Sequence, residues 1–144
     1  MTNRIESQLP KLLKNKLEGI ALPKGMVVPA YDGHSLVNLP ASICRWLEIP
    51  ALGQKPLAEE FFKPLPSSYK KVILLVVDGL GLSLFQRFLP GGDCATLSPI
   101  WSRLVEKGEL FALTSTAPST TSTAITSLWT GQPPAAHGVI GYEM

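Results

Sequence analysis

Cysteine, charge and long apolar runs are all scarce in this chain. Its two cysteines, Cys44 and Cys94, lie far apart and match no metal or thiol-redox spacing. Reduced, buried thiols are therefore expected. Charged residues make up 17% of the sequence and the net charge is +2. No basic cluster stands out, so no nucleic-acid polymer is expected as a partner. No apolar run approaches the roughly 18 residues that a membrane span needs. The start, "MTNRIESQLPKLLKNKL", lacks the unbroken apolar stretch of a signal peptide. These absences give the expectation of a cytoplasmic protein with no membrane partner. They leave the oligomeric state open.

What remains is apolar and rich in breakers. Hydrophobic residues are 45% of the 144, enough for an ordinary core. Thirteen prolines and twelve glycines fall mostly between periodic segments, which implies a loop-rich chain that still packs.

Residues 5–17 place Ile5, Leu9, Leu12, Leu13 and Leu17 at helical spacing. The pattern predicts a short amphipathic helix ending near Gly19, with Pro10 in its first turns. A second helix is expected through "LPASICRWLEI", with Asn38 as N-cap and Pro40 just inside. The stretch "PALGQKPLAEEFFKPLPSSYKK" predicts irregular structure with one helical turn. Residues 1–68 thus form a helical and irregular N-terminal extension.

At Lys71 the pattern changes. "KVILLVVDG" is a continuous β-branched and Leu run ended by Asp-Gly, as in a strand buried on both faces of a parallel sheet. A helix over about 82–89 follows. "SPIWSRLVEKG" predicts another, with Ser98 as N-cap, Pro99 at the first helical position and Gly108 beyond the end. "ELFALTST" predicts a second strand, and residues 121–130 a further helix ended by Gly131. This order argues for an α/β fold with a parallel sheet. Two strands are few for such a sheet, so residues 69–144 are expected to be the first part of a larger, incomplete α/β domain.

Two places could carry chemistry. Asp78 ends the first predicted strand, and ligands of open parallel sheets bind at the carboxyl ends of strands. Its carboxylate is suited to a metal, and equally to capping the next helix or opening the "DGLG" turn. A dinucleotide fingerprint is not met, because Leu84 stands where the third glycine of G-x-G-x-x-G would be. The second place is "APSTTSTAITSLWTG", with eight hydroxyl side chains and no charge in fifteen positions. A hydroxyl at a helix start meets the positive dipole end and N–H groups that favour an alkoxide or hold an anion. The plainer reading makes Ser119 or Thr120 the N-cap and the later small residues a packing face.

Taken in order, "VVDG", "PSTT" and "SLWTGQPPAAHGV" resemble the N-terminal part of the alkaline phosphatase superfamily, in its type I phosphodiesterase/nucleotide pyrophosphatase branch. The resemblance covers about residues 70–142. In that branch a metal-binding Asp ends the first strand, and a Thr nucleophile starts a helix ten residues before the Gly of a "TG" pair. Counting back from Gly131 gives Thr121, with Pro118 three residues before it. The resemblance therefore implies Thr121 as nucleophile and metal ligand, and Asp78 as the first metal ligand. It also implies a site for two divalent metal ions, most often Zn²⁺, and a small phosphodiester or nucleotide substrate. The family's further Asp and His ligands lie downstream of this region, whereas this chain has only His34 and His137. His137 matches the family's "HG" segment and is expected in a loop or core role; His34 is expected to be solvated or capping. Tyr142 stands where relatives carry an Asn that contacts the phosphoryl oxygen; its hydroxyl can donate to an oxyanion. The Cys/Ser-x-Pro-x-Arg signature of sulfatases and the Ser motif of metal-dependent phosphoglycerate mutases are absent. The rival expectation is a truncated, catalytically silent fragment or a non-catalytic binding module of the same fold.

Overall fold

The computed structural model describes residues 4–97 and 99–141. Among these residues the regular elements are helical. They are α1 (Ile5–Leu13), a 3₁₀ turn (Leu36–Asn38), α2 (Leu39–Trp46), α3 (Glu59–Phe62) and α4 (Leu82–Gln86). A second 3₁₀ turn (Ala95–Leu97), α5 (Pro99–Lys107), α6 (Thr121–Thr130) and α7 (Pro134–His137) complete the order. The described residues pack as two interleaved units. The first holds the residues through Gln8 together with Leu74–Ala112, and the second holds Leu9–Ile73 together with the residues from Leu113 on. This division by packing is distinct from the division by sequence character at residue 68.

In the first unit the start of α1 lies along the segment that follows α5. The Arg4 amide donates to the Leu110 carbonyl at 3.1 Å, and the Ala112 amide donates to the buried Gln8 side chain at 2.8 Å. Ile5 is fully buried. Phe85 of α4 meets Trp101 of α5 edge to face, with centroids 5.0 Å apart. The loop after α4 is closed by Arg87, whose guanidinium grips both Asp93 oxygens and whose carbonyl accepts the Cys94 amide. Gly92 is required there, since a Cβ would stand 2.3 Å from the Arg87 carbonyl oxygen. Neither α4 nor α5 has a buried residue. Pro99 does open α5; Ser98, its expected cap, lies outside the described residues.

The run Val72–Val77 forms no strand ladder among the described residues, and Ile73 and Leu75 are 93% and 80% exposed. A strand gains its hydrogen bonds and its burial only from neighbours.

The second unit has a polar interior. Ser35 caps the first 3₁₀ turn in a reciprocal box with Asn38. The Asn38 Oδ1 accepts the Ser35 amide at 3.1 Å, and its Nδ2 donates to the Tyr31 and Lys55 carbonyls at 2.9 and 3.0 Å. Ser42 donates to the Asn38 carbonyl and accepts the Leu57 amide, each at 2.8 Å. Ser35, Asn38 and Ser42 are all fully buried. Asn38 occupies the position before α2, but its side chain makes no cap to α2. The expected cap is thus replaced by a clamp on two distant loops. Pro40 sits in the first turn of α2 as expected.

Around this network pack Val37, Ala41, Leu57, Phe61 and Phe62. Arg45 lies 3.9 Å above the Phe62 ring and pairs with both Glu59 oxygens. A parallel bridge joins Ser35 to Thr114, with the Leu36 amide donating to the Thr114 carbonyl at 3.0 Å and the Thr114 amide to the His34 carbonyl at 2.8 Å. Part of the second predicted strand therefore runs beside residues 34–36.

The helix over 5–17 stops at Leu13. Asn15 turns the chain away by donating to the Val28 and Pro29 carbonyls at 3.2 and 3.3 Å, and Leu17 lies in an exposed loop.

Candidate functional site

The hydroxyl-rich segment folds as its local chemistry demands. Thr120 has extended backbone angles and is the N-cap of α6; its Oγ1 accepts the Thr123 amide and lies 2.7 Å from the Thr123 hydroxyl. Thr121 is therefore the first helical residue, and it is half-buried. The approach to the helix is held by the Ala117 amide donating to the Tyr31 hydroxyl at 3.2 Å and by the Thr116 hydroxyl donating to the Pro118 carbonyl at 2.8 Å. Of the two neighbouring threonines, Thr120 takes the capping role.

Along α6 two further hydroxyls satisfy themselves on the helix's own backbone. Thr126 and Thr130 each donate to the carbonyl four residues back at 2.8 Å. Thr123 and Ser127 are fully buried. The helix ends at Gly131, whose φ of +63° suits glycine and whose amide bonds the Ser127 carbonyl at 2.8 Å. Gly53 crosses Gly131 closely enough for the Gln54 amide to donate to the Gly131 carbonyl at 2.8 Å. A Cβ on Gly131 would stand 2.8 Å from the Leu52 carbonyl oxygen.

The segment after Gly131 returns to the same helix. "PPAAHG" forms α7, a single turn closed by Gly138 at φ +79°. His137 Nε2 lies 2.9 Å from the buried Ser127 hydroxyl, and its Nδ1 accepts the Val139 amide at 3.1 Å. A backbone N–H can donate only to an unprotonated ring nitrogen, so the neutral imidazole carries its proton on Nε2 and gives it to Ser127. Ser122, beside Thr121, donates to the Gly141 carbonyl at 2.7 Å. The loop is thereby tied to both ends of α6. His137, expected in a loop or core role, is half-buried and bonded to α6. Its pairing with Ser127 was not read from the sequence, although a His-Gly pair ten residues past a helical Ser is a usable signal.

Asp78 lies in the first unit and Thr121 in the second. The Asp78 carboxylate is exposed and accepts the Gly79 amide at 2.9 Å, the turn role that "DGLG" allowed. Gly79 supplies a φ of +72° for that turn. His34, expected to be solvated or capping, is half-buried: Phe61 lies edge-on to its ring at 5.5 Å and Glu60 is 3.4 Å from Nε2. Tyr142 lies outside the described residues.

Asp78 and Thr121 are hard oxygen donors of a kind divalent metals accept. A zinc site takes three or four protein ligands. Among the described residues no group of three or more His, Cys, Asp and Glu could hold a metal. These two residues alone do not complete such a site. No helix among the described residues is long and apolar enough to cross a membrane.

A sequence model described as "Type I phosphodiesterase / nucleotide pyrophosphatase" matches residues 72–144. No curated protein and no solved structure matches the chain.

Proposed function

Because the chain belongs to the type I phosphodiesterase/nucleotide pyrophosphatase family, a branch of the alkaline phosphatase superfamily, we propose that Thr121 is the nucleophile of a metal-dependent phosphohydrolase acting on a small phosphodiester or nucleotide. The observation that carries this reading is local. Thr120 takes the cap, so Thr121 opens a ten-residue helix whose end is fixed at Gly131.

On this reading residues 69–144 belong to an α/β parallel-sheet fold. Asp78 and Thr121 would each be one ligand among several for a pair of divalent metals, zinc in kind, which would stabilise charge on the attacking and leaving oxygens. The chain's own part is simpler. The Thr121 hydroxyl gives up its proton to solvent and its oxygen forms a bond to phosphorus as the bond to the leaving-group oxygen breaks in line, the leaving oxygen departing as an alkoxide that water protonates. The helix start, with its N–H groups and positive dipole end, stabilises the charge on the equatorial oxygens. Water then cleaves the phosphothreonine ester and restores the hydroxyl.

The test is turnover of bis(p-nitrophenyl) phosphate by the full chain with added Zn²⁺. Thr121→Ala should lower it by at least about a thousandfold, while Thr121→Ser keeps a measurable fraction. Activity of Thr121→Ala within a few-fold of wild type sinks the nucleophile. No turnover by wild type above Zn²⁺ alone sinks the catalytic reading and leaves a non-catalytic module of the same family.

A further inference from the structure

Where α1 stops, the second unit presents an apolar and basic surface. Leu13, Leu17, Ile20, Leu22 and Met26 line an open cradle of about 320 Å³. Each is exposed; Leu13 and Met26 are 61% and 62% so. All seven residues from Ala21 to Val27 are exposed as well. Patches of this kind on soluble proteins mark surfaces that bind something.

The charge around the cradle says what. Residues 11–27 hold four lysines against one glutamate, more positive charge than the net +2 of the whole chain. Lys11, Lys14, Lys16 and Lys24 are all exposed. The sequence hides this concentration because the lysines are spaced among leucines and breakers. Lys16 itself lines the apolar cradle, and Lys11, Lys14 and Lys24 lie within two residues of its lining along the chain.

We propose that this face docks on an anionic lipid surface. The apolar side chains enter the headgroup boundary while the lysine stems lie along it and keep their ammonium groups at the phosphates. Charge complementarity selects an acidic occupant, and the residue type selects between two acidic classes. Every cation in the segment is a lysine. Lysine is a flexible point charge suited to a diffuse anionic surface, whereas arginine supplies the planar fork that reads defined carboxylates on a protein. The expectation of no membrane partner rested on the length of apolar runs, and an interfacial surface needs no such run.

The experiment is co-sedimentation of the full chain with vesicles of phosphatidylcholine alone or mixed with phosphatidylserine, at low and high salt. Binding is expected with phosphatidylserine, and much weaker binding without it or at high salt. Replacing Lys14→Gln together with Lys16→Gln should weaken it about twenty-five-fold, at about fivefold per lysine. Leu17→Ser with Ile20→Ser should weaken it about tenfold at unchanged charge. These side chains are exposed, so the circular dichroism of both variants should match wild type. Equal binding to both vesicle types, insensitivity to the lysine pair, or no sedimentation with phosphatidylserine overturns the proposal. So does capture by a polyglutamate peptide without vesicle binding, which would assign the face to an acidic protein.

Discussion

The two units differ in how much they bury. In the first, the amphipathic α5 and its neighbour α4 have no buried residue, and Leu84, Leu97, Ile100 and Leu104 are exposed. In the second, the most buried positions include Ser35, Asn38, Ser42, Thr123 and Ser127. Apolar periodicity marks a face that could be covered, but covering it takes an opposing element. Buried polar groups are different, because each is fixed by partners it must have. The second unit therefore joins a buried hydrogen-bond network to an apolar core, whereas the described residues of the first bury only Ile5, Gln8, Leu89 and Ala112.

The sharpest way to break this comparison is Asn38→Ala. It removes the partner of the buried Ser35 amide and of the part-buried Tyr31 and Lys55 carbonyls. It should cost on the order of 3 kcal/mol in urea unfolding, at about 1 kcal/mol or more per stranded group. A cost near zero would mean that the network does not hold the unit. Gly131→Ala should cost about 2 kcal/mol, because a Cβ there adopts φ +63° and meets the Leu52 carbonyl. In the first unit Leu104→Ser should fall within about 0.5 kcal/mol of wild type, since the side chain is 54% exposed. A large loss there would show that α5 is covered after all.

The smallest effect is electrostatic. The hydrogen bond from Arg45 holds the Glu59 carboxyl below the ordinary glutamate range. A carboxyl lowered by folding adds stability above its unfolded pKa, and loses it as pH falls through the folded value. The melting temperature of wild type should thus drop slightly more on acidification than that of Glu59→Gln. Both groups are at the surface, so added salt should shrink the difference. Parallel curves would remove the pair from the account.

Legibility follows the range of the forces. The helix over 121–130 and its glycine end could be read because a Thr cap and an αL glycine act within a turn. Pro99 at the start of α5 and the single turn Glu59–Phe62 were readable for the same reason. Asn38 was misread as a cap for α2 because its partners, Tyr31 and Lys55, are set by tertiary packing. The pairing of residues 34–36 with Thr114 spans some eighty positions, and no local pattern announces it. At the candidate site, the family resemblance singled out Thr121 among the hydroxyls; the fastening of His137 to Ser127 depends on tertiary packing.

The most direct test of the central claim is mass spectrometry of the chain quenched in acid during incubation with Zn²⁺ and a p-nitrophenyl nucleotide ester. The account predicts a nucleotidyl group on Thr121, absent from Thr121→Ala. Release of p-nitrophenol with no adduct on Thr121, or with the adduct on Thr120 or Ser122, would contradict it.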